Sequence, residues 1–348
     1  MSAVSHAAVI AAESGWVPDS LITRGIKMAC GNRLSAIEKQ FSSLPGVAME
    51  EFLEELERSP IAAATETANE QHYELPPAFF EAVLGPRLKY SGCEWPADVC
   101  TLAEAEEKAL NTAVTRAQIL DGATILELGC GWGSLTLYMA ERFPNSPITA
   151  VSNSAPQREF IMKRAQQRGI KNVTVVTVDI NAFEPDTNVP FDRIISIEML
   201  EHVRNYRALF RRIAGWLAED GLLFVHIFRH KCYPYLFETE GDGDWMGRHF
   251  FTGGVMPSHN LLADAQDSLT LAKSWEINGT HYAKTADAWL RNLDLNEGRI
   301  RPILAEHYGQ SDAGIWLNRW RMFFIACREL FGYREGSEWG VSHYIFTH

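Results

Sequence analysis

The chain has 348 residues, 46% of them apolar and 22% charged, a composition that excludes a wholly disordered or fibrous protein. Its net charge of −12 argues against a dominant nucleic-acid or anionic-lipid surface. Its 6 cysteines are scattered without a CxxC pair, which favours a reduced, cytoplasmic setting over a disulfide framework or zinc ribbon. No stretch approaches the roughly 18 apolar residues of a membrane span, and we identify no signal peptide.

Residues 1 to about 70 are predicted to be helical. Four apolar residues recur there at helical spacing: Met49, Phe52, Leu53 and Leu56. Ser59-Pro60 ends that segment. The S/T-x-x-E pattern from Thr101 to Glu104 predicts a capping box that starts a further helix, running to about Leu120.

After residue 120, short runs rich in Val and Ile alternate with amphipathic segments. The runs are Thr124–Leu128, Ile148–Val151, Val173–Val178, Arg193–Ile197 and Leu222–Ile227. Such alternation predicts βαβ units and a mostly parallel sheet that is buried on both faces. We therefore expect an α/β protein with a Rossmann-like core.

The C-terminal third is rich in aromatic residues. A stripe that includes Trp320, Phe324 and Phe331 predicts a helix over residues 311–331. These side chains, with Tyr235 in the preceding loop, suggest a flat or cationic ligand, but the stripe also fits plain core packing, the commoner outcome.

Two further elements are predicted near the C-terminus. Asn278-Gly279 predicts a hairpin between Trp275 and Tyr282. Residues 339–346 are expected to form the last strand.

Glu127 precedes a glycine-rich turn, Gly129-Cys130-Gly131-Trp132-Gly133, where the first predicted strand meets a helix. A dinucleotide site would have GxGxxG and an acidic residue about 20 positions later. Here the third glycine comes one place early, and the second strand ends in Val151-Ser152-Asn153 without a carboxylate. A carboxylate beside the glycines suits the cationic S-adenosylmethionine (SAM) better than NAD.

Further ligand contacts are expected where the next strands end, because ligands lie across the carboxyl ends of parallel strands. Asn153 and Gln157 follow the second strand, and Asp179 and Ile180 follow the third, where they are placed to flank an adenine. Ser154 to Gln157 also reads as a capping box, a role compatible with ligand binding.

Glu198, Glu201 and His202 follow the fourth strand in the run Ile-Glu-Met-Leu-Glu-His, the most informative cluster in the chain. Methyl transfer to an amine needs a base, and a histidine oriented by a carboxylate has a suitable pKa. Alternatively, the two glutamates are helix-start carboxylates and the histidine is merely packed.

His226 and His230 form an H-x-x-x-H pair that is predicted to straddle a strand end. Because the helix that a zinc motif requires is absent there, we expect no metal site.

Motifs from residue 72 to residue 339 give the sequence a resemblance to a known family. Seven motifs occur in order: HYELP (72–76), KYSGC (89–93), ILELGCGWG (125–133), VSNSAPQ (151–157), IEMLEH (197–202), FFTGGVMPS (250–258) and FGYREGSEW (331–339). They resemble the coclaurine N-methyltransferase-like group, within the wider family of cyclopropane fatty acid synthases.

The resemblance implies a seven-stranded class I methyltransferase fold with SAM as donor, S-adenosylhomocysteine (SAH) as product and an amine as acceptor. It places these residues around SAM: Tyr90, Ser91, Gly129, Gly131, Asn153, Gln157, Asp179, Ile180 and Ile197. It assigns catalysis to Glu198, Glu201 and His202, and it places Glu74, beside Tyr73, against the substrate amine.

The sequence departs from cyclopropane synthases at Gly92, where those enzymes have a cysteine that helps to hold a bicarbonate ion. Cys93 comes one step late, although Glu201 and His226 match the remaining ion ligands. The departure weakens lipid cyclopropanation as an alternative. Transfer to sulfur or oxygen, a catalytically dead SAM sensor and a dehydrogenase are further alternatives.

The sequence is best divided into three parts of one enlarged domain. Residues 1–120 form a helical extension over the cofactor, residues 121–228 the SAM-binding core, and residues 229–348 a substrate cover with the last strands. We expect a cytoplasmic methyltransferase of a small amine, with a homodimer as its assembly and no nucleic-acid partner or membrane span.

Overall fold

The structure is a computed structural model that describes residues 3–42, 45–63, 75–186, 189–241 and 244–348. Two predicted site residues, Tyr73 and Glu74, lie outside the described residues. Their predicted roles toward the substrate therefore stay predictions.

Helices dominate the first third of the chain, as predicted. They are α1 (Ala3–Glu13), α2 (Asp19–Ser42), α3 (Pro45–Glu57), α4 (Pro77–Val83) and α5 (Leu102–Arg116). The predicted capping box at the start of α5 is confirmed: the Thr101 hydroxyl accepts from the Glu104 N–H, and the Glu104 carboxylate accepts from the Thr101 N–H at 2.9 Å. Helix α5 ends at Arg116, four residues before the predicted end.

Strands and helices alternate through the middle of the chain. They are β1 (Ile125–Leu128), α6 (Ser134–Arg142), β2 (Ile148–Ser152), α7 (Ala155–Gln167), β3 (Val173–Thr177), β4 (Phe191–Ile197), α8 (Tyr206–Trp216) and β5 (Leu217–His230). A single 3-10 turn, Leu200–His202, follows β4.

The last third adds helices and returns to the sheet. Its elements are β6 (Tyr235–Leu236), α9 (Trp245–His249), β7 (Val255–Met256), α10 (Leu261–Asp264), β8 (Thr270–Ile277), α11 (Thr280–Leu295), α12 (Glu297–Tyr308), α13 (Ala313–Gly332) and β9 (Trp339–Thr347). The predicted aromatic helix corresponds to α13. Among the described helices, none is long and apolar enough to cross a bilayer.

Seven strands of the described chain form one sheet in the order β3-β2-β1-β4-β5-β9-β8. Strand β9 runs antiparallel to both of its neighbours, and the pairs from β3 to β5 are parallel. The predicted mostly parallel α/β sheet is confirmed. The strand order reverses direction at β1 and β4, so their carboxyl ends open a crevice where ligands bind in such sheets.

Both faces of the sheet are buried, as its Val- and Ile-rich strands predict. On one face, Leu126 and Leu128 pack with Leu209, Phe210 and Ile213 of α8. On the other, strand residues pack with side chains of α5, α6 and α7. Most side chains of the central parallel strands are thereby shielded from water, which explains why the sequence shows apolar runs there in place of strict apolar–polar alternation.

A third cluster joins the two ends of the chain. Trp289 of α11 packs with Trp320 and Phe324 of α13, and this cluster also contains Cys30 and Leu34 of α2. The N-terminal and C-terminal additions thus share one core, and the predicted division of one enlarged domain into three parts stays a prediction. The boundaries at residues 120 and 228 stay predictions.

The predicted hairpin at Asn278-Gly279 is wrong. These residues join β8 to α11, and the Asn278 side chain accepts hydrogen bonds from the Thr280 N–H and hydroxyl at 2.8 and 2.6 Å. A Cβ atom at Gly279 would lie 2.0 Å from the Trp339 carbonyl oxygen. The Asn-Gly pair therefore reflects a helix start and a close backbone approach, not a two-residue turn.

The burial of Trp320 predicts a large stability cost on truncation. Trp320→Ala should lower the free energy of unfolding by about 3–5 kcal/mol, because it removes a fully buried ring and leaves a cavity. Trp16→Ala, at a ring that is 84% exposed, is the matched control and should change it by less than about 0.5 kcal/mol. Urea denaturation measures both, and equal costs would contradict the assignment of Trp320 to the core.

Candidate active site

A cavity opens at the carboxyl edge of β1, β2 and β4. Ten of the eleven residues predicted for the cofactor line it: Tyr90, Ser91, Glu127, Gly129, Cys130, Gly131, Asn153, Gln157, Ile180 and Ile197. Glu198 and His202 line the same cavity. The structure therefore brings together the glycine-turn residues and two of the predicted catalytic residues, which are about 70 positions apart in the chain.

The glycine turn at the end of β1 needs its glycines for conformation and for space. Gly129 has φ +83° and Gly133 has φ +78°, backbone conformations that side chains rarely adopt. A Cβ at Gly129 would lie 2.6 Å from the Met199 side chain, and one at Gly133 would lie 2.6 Å from Ile161. The turn thus lets the chain pass between the cluster after β4 and helix α7.

Glu127 is a buried carboxyl group at the end of β1. One oxygen accepts a hydrogen bond from the Thr136 hydroxyl at 2.6 Å. Burial raises the pKa of Glu127 to about 8, against the opposing effect of that hydrogen bond. A cation bound beside Glu127 would favour its ionised form, so the residue suits the amino or sulfonium charge of SAM.

Three cavity-lining polar atoms are buried without a hydrogen-bond partner among the described residues. They are Trp132 Nε1, Ser134 Oγ and Gln157 Nε2. The other side-chain atom of Gln157, Oε1, accepts from the Ser152 hydroxyl at 2.6 Å, which aims the amide group. Because unsatisfied buried donors are costly, these atoms fit a ligand with several polar acceptors, as SAM has.

Helix α7 begins with the predicted side-chain cap but not with a complete capping box. Ser154 Oγ accepts from the Gln157 N–H at 3.4 Å, whereas the Gln157 side chain is engaged with Ser152. The capping role and the cavity-lining role of Gln157 therefore coexist.

Asp179 is the predicted cofactor residue that does not appear in the cavity wall. Its Oδ1 accepts from the backbone and side-chain nitrogens of Asn181 at 2.7 and 2.8 Å. Its neighbours Val178 and Ile180 do line the cavity. The predicted contact of Asp179 with adenine stays a prediction.

Glu198 joins three separate parts of the chain. Its Oε1 accepts from the Gly92 N–H at 2.8 Å and pairs with His226 Nε2 at 3.0 Å, and its Oε2 accepts from the Tyr282 hydroxyl at 2.7 Å. Its backbone has φ +46°, rare for a residue with a side chain. Burial raises the pKa of Glu198, while Lys89 and the donors from Gly92 and Tyr282 act in the opposite direction.

The sequence did not single out Lys89 or Tyr282. The Lys89 ammonium is buried and donates to Ser91 Oγ and to the Gly92 carbonyl, both at 2.6 Å. It therefore shapes the loop that carries two predicted cofactor residues and the Gly92 N–H. No local pattern marks a buried lysine, and Tyr282 reaches Glu198 from a helix 84 positions away.

Glu201 and His202 point in different directions, because successive side chains on a 3-10 turn are about 120° apart. Glu201 is fully buried, and its Oε1 accepts from the Phe228 N–H at 2.8 Å. Its Oε2 has no hydrogen-bond partner among the described residues, and burial raises its pKa well above the usual value. Glu201 thus holds the backbone of β5, and the predicted orientation of His202 by this carboxylate stays a prediction.

His202 lies in the cavity wall with its ring stacked on Phe251 at a centroid distance of 4.7 Å and an angle of 20°. Burial lowers the pKa of His202 to about 4, and the charge of Glu198 opposes that shift. The imidazole is therefore neutral at pH 7, which is the form that accepts a proton.

Of the five aromatic residues predicted to contact substrate, Tyr73 lies outside the described residues and the other four are buried. Trp320 and Phe324 lie in the core shared with α2, and the Tyr235 hydroxyl accepts from Trp339 Nε1 at 3.0 Å. Phe331 stacks on Tyr282 at 4.1 Å, so it supports the ring that binds Glu198. Trp320 and Phe324 therefore pack in the core, which is the alternative given for the helical stripe. Direct contact of the four residues with substrate stays a prediction.

His226 and His230 both lie within β5, so the predicted position of the pair across a strand end is wrong. Their partners differ: His226 binds Glu198, whereas His230 Nδ1 lies 3.1 Å from the Tyr233 carbonyl. In the part of the chain that the structure describes, no group of three or more His, Cys, Asp or Glu side chains is placed to hold a metal.

Comparison with known proteins identifies the family of this chain. The sequence profile of mycolic acid cyclopropane synthetase matches residues 62–337. The chain belongs to this family. It is 39% identical over 344 residues to (S)-coclaurine N-methyltransferase of Thalictrum flavum subsp. glaucum, covering 96% of this chain and 93% of that protein.

Two solved structures extend the comparison. Coclaurine N-methyltransferase bound to N-methylheliamine and SAH has a TM-score of 0.91 at 35% identity, covering 97% of this chain and 98% of that one. A cyclopropane synthase from Mycobacterium tuberculosis has a TM-score of 0.67 at 21% identity, covering 83% of this chain and 99% of that one, and shows the shared fold. These findings confirm the predicted family, fold and enzyme class, a methyltransferase dependent on SAM.

The raised pKa of Glu127 makes cofactor binding depend on pH. Since Glu127 is largely protonated at pH 7 and a cationic ligand favours its ionised form, SAM affinity should rise with pH through about 8 and then level off. Calorimetry in buffers of different ionisation enthalpy should detect proton release at pH 7. Glu127→Gln should abolish this release, and unchanged release in that variant would contradict the assignment.

The glycine turn predicts unequal costs for two alanine substitutions in the ligand-free protein. Gly129→Ala adds strain at φ +83° and a clash with Met199, whereas Gly131 has φ +51° and open space around its Cβ position. We expect about 1–2 kcal/mol of lost stability for Gly131→Ala from backbone strain alone. Gly129→Ala should cost more, as measured by chemical denaturation, and equal costs would contradict the steric argument.

Proposed function

We propose that this methyltransferase acts on the nitrogen of a small amine of the alkaloid type. The observation that carries the proposal is the Glu198 carboxyl group and the His202 imidazole in the wall of the cavity that the predicted cofactor residues line, with His202 stacked on the Phe251 ring. The curated relatives named for (S)-coclaurine, pavine and (S)-tetrahydroprotoberberine support the same class of acceptor.

When bound, SAM supplies an electrophilic methyl group on a positively charged sulfur. An ammonium substrate has no free lone pair, so its proton must leave before the nitrogen can attack. His202 is neutral and lines the cavity, and it is our candidate to accept that proton. The burial that lowers the pKa of His202 acts in the same direction on an amine bound beside it, so it does not by itself widen the gap between the two pKa values.

Glu198 is better suited to hold the cation than to take its proton. Its two oxygens already receive hydrogen bonds from Gly92, His226 and Tyr282, which stabilise the carboxylate and fix its orientation. A fixed negative charge beside the nitrogen attracts the cation and orients it toward the methyl group. Orientation of this kind supplies a large part of catalysis in group transfer.

The surroundings of Gly92 favour an amine over a lipid acyl chain as acceptor. A Cβ at this position would lie 2.7 Å from the Tyr282 ring, so there is no room for the cysteine that cyclopropane synthases have there. The Cys93 thiol is buried and faces the Ser91 carbonyl at 3.6 Å. The donors that a bicarbonate ion would need from Gly92 and His226 are already bound to Glu198.

The test is a panel of methyl acceptors incubated with purified protein and SAM, with products identified by mass spectrometry. Secondary amines on a tetrahydroisoquinoline ring should gain one methyl group on nitrogen. The panel includes thiols, phenols and an unsaturated phospholipid with and without bicarbonate. Methylation of the lipid alone would overturn the proposal. Light scattering of the same sample tests the predicted homodimer.

His202→Ala should lower turnover of the preferred amine by about 10²–10⁴-fold, the range for loss of a general base, while SAM affinity stays within about twofold. His307→Ala, at an exposed histidine of α12, is the matched control and should keep full turnover. Full turnover in His202→Ala would remove this residue from the mechanism.

A further inference from the structure

A row of residues crosses the sheet behind the Glu198 carboxylate. His226 of β5 lies opposite Ile197 of β4 on one side and His343 of β9 on the other. On the far side of β9, His343 lies opposite Trp275 of β8. The register of four neighbouring strands thus aligns two histidines between Glu198 and the edge of the sheet.

These side chains form a continuous line of hydrogen bonds. His226 Nε2 lies 3.0 Å from Glu198 Oε1, and His226 Nδ1 lies 2.9 Å from His343 Nε2. At the other end, His343 Nδ1 lies 2.5 Å from Arg116 Nη1, on the last residue of α5. Both imidazoles are buried, with exposures of 5% for His226 and 1% for His343.

Arg116 fixes the direction of every bond in the line from one end, and an ionised Glu198 carboxylate, which can only accept, imposes the same direction from the other. A guanidinium group can only donate, so His343 Nδ1 accepts and the proton of a neutral His343 sits on Nε2. His343 Nε2–H then donates to His226 Nδ1, which leaves the His226 proton on Nε2. His226 Nε2–H therefore donates to Glu198.

The charges around the two imidazoles favour their neutral forms. Burial lowers the pKa of His226 and of His343 well below the usual value, and the positive charges of Lys89 and Arg116 act in the same direction. Two carboxyl groups would favour protonated imidazoles instead: Glu198 lies at one end of the line, and Glu94 lies near Arg116 at the other. A second proton on His343 Nδ1 would point at a guanidinium N–H, which the geometry does not allow.

Arg116 is held in place from outside the line. Its guanidinium lies over the Trp275 ring, 4.6 Å from the centroid, a cation–π contact that keeps the planar group facing the sheet. Lys273 packs on the same ring at 4.9 Å. Arg116 is thus a fixed donor and not a mobile surface side chain.

We propose that Arg116 is a positioning residue for methyl transfer, because it fixes His343 and His226 in their Nε2–H tautomers and so keeps a donor on Glu198. The proposal rests on the proposed function, in which Glu198 holds the substrate cation. This arrangement also excludes proton exit along the line, since Arg116 donates to His343 Nδ1, the ring nitrogen that would have to accept the next proton. The proton of the substrate must then leave on the His202 side.

The tautomers are tested directly by NMR of protein labelled with ¹⁵N in its histidines. Long-range ¹H–¹⁵N spectra distinguish Nε2–H from Nδ1–H imidazoles, and His226→Asn and His343→Asn identify the two rings. In the wild-type protein both should be Nε2–H and should not titrate between pH 5 and 8. An Nδ1–H signal or a mixture at either ring would overturn the proposal, whether or not any variant of Arg116 folds.

Arg116→Met tests the link to catalysis. Without Arg116 the line can also run in reverse, with a protonated Glu198 as donor to His226 Nε2, so the His343 ring should become a mixture of tautomers. The kcat for the accepted amine should fall about tenfold, as expected when a hydrogen bond to a charged group loses its donor. SAM affinity should stay within about twofold, since Arg116 does not line the cavity. Arg116→Lys keeps a donor and should restore part of the lost turnover.

Arg193→Met is the matched control. Arg193 is also partly buried, and burial lowers its pKa as it does that of Arg116, but it donates to the Gln118 and Asp192 carbonyls outside the line. This variant should leave both tautomers and kcat unchanged. An equal loss of kcat in both variants, or unchanged tautomers in Arg116→Met, would contradict the proposal. If the amine panel fails while the tautomers are as described, the proposed acceptor is wrong and the hydrogen-bond line stands.

Discussion

The buried Glu198 carboxylate is the constraint on which the rest of the site depends. It receives hydrogen bonds from a loop before α5, from β5 and from α11, so one side chain in the cavity wall ties three segments together. Its left-handed backbone conformation turns the chain out of β4 toward the cavity. Strain of this kind persists only when surrounding contacts over-determine it, and the three donors do so.

At several ionisable groups of the site, the effect of burial on the pKa outweighs that of the local hydrogen bonds. It raises the pKa values of Glu127 and Glu201 and lowers that of His202, so each of these groups is driven toward its neutral form before ligands bind. A cationic cofactor and a cationic substrate reverse this bias for the carboxyl groups that they approach. The site therefore gains its full charge complementarity only in the ternary complex, where it is needed for methyl transfer.

The sequence alone predicts those features that local patterns encode. Short runs rich in Val and Ile place β1 to β5, and helical spacing places α13. The glycine turn and the run from Glu198 to His202 place the site at the right sheet edge. Contacts between residues that are distant in the chain cannot be predicted from such patterns. Tyr282, Lys89 and the line from Arg116 to His226 are assembled by strand register and helix packing, and a single histidine or arginine carries no local sign of its partner.

The aromatic stripe shows that a helix can be predicted correctly while the roles of its side chains are not. Helical spacing in α13 predicts the helix, but a ring facing a ligand and a ring facing another helix have the same spacing. Trp320 faces the core, whereas Phe331 stacks on Tyr282, the residue that donates to Glu198. The hairpin error is similar, since Asn-Gly marks any tight backbone requirement and not only a reversal between strands.

The contact between Gly92 and the Tyr282 ring has a consequence for how such enzymes diverge. A side chain at position 92 requires the Tyr282 ring to shift, and the same ring carries the hydroxyl that donates to Glu198. A change at position 92 therefore acts on the carboxylate through position 282. Substitutions at the two positions are thus expected to be non-additive, as for residues that share a contact.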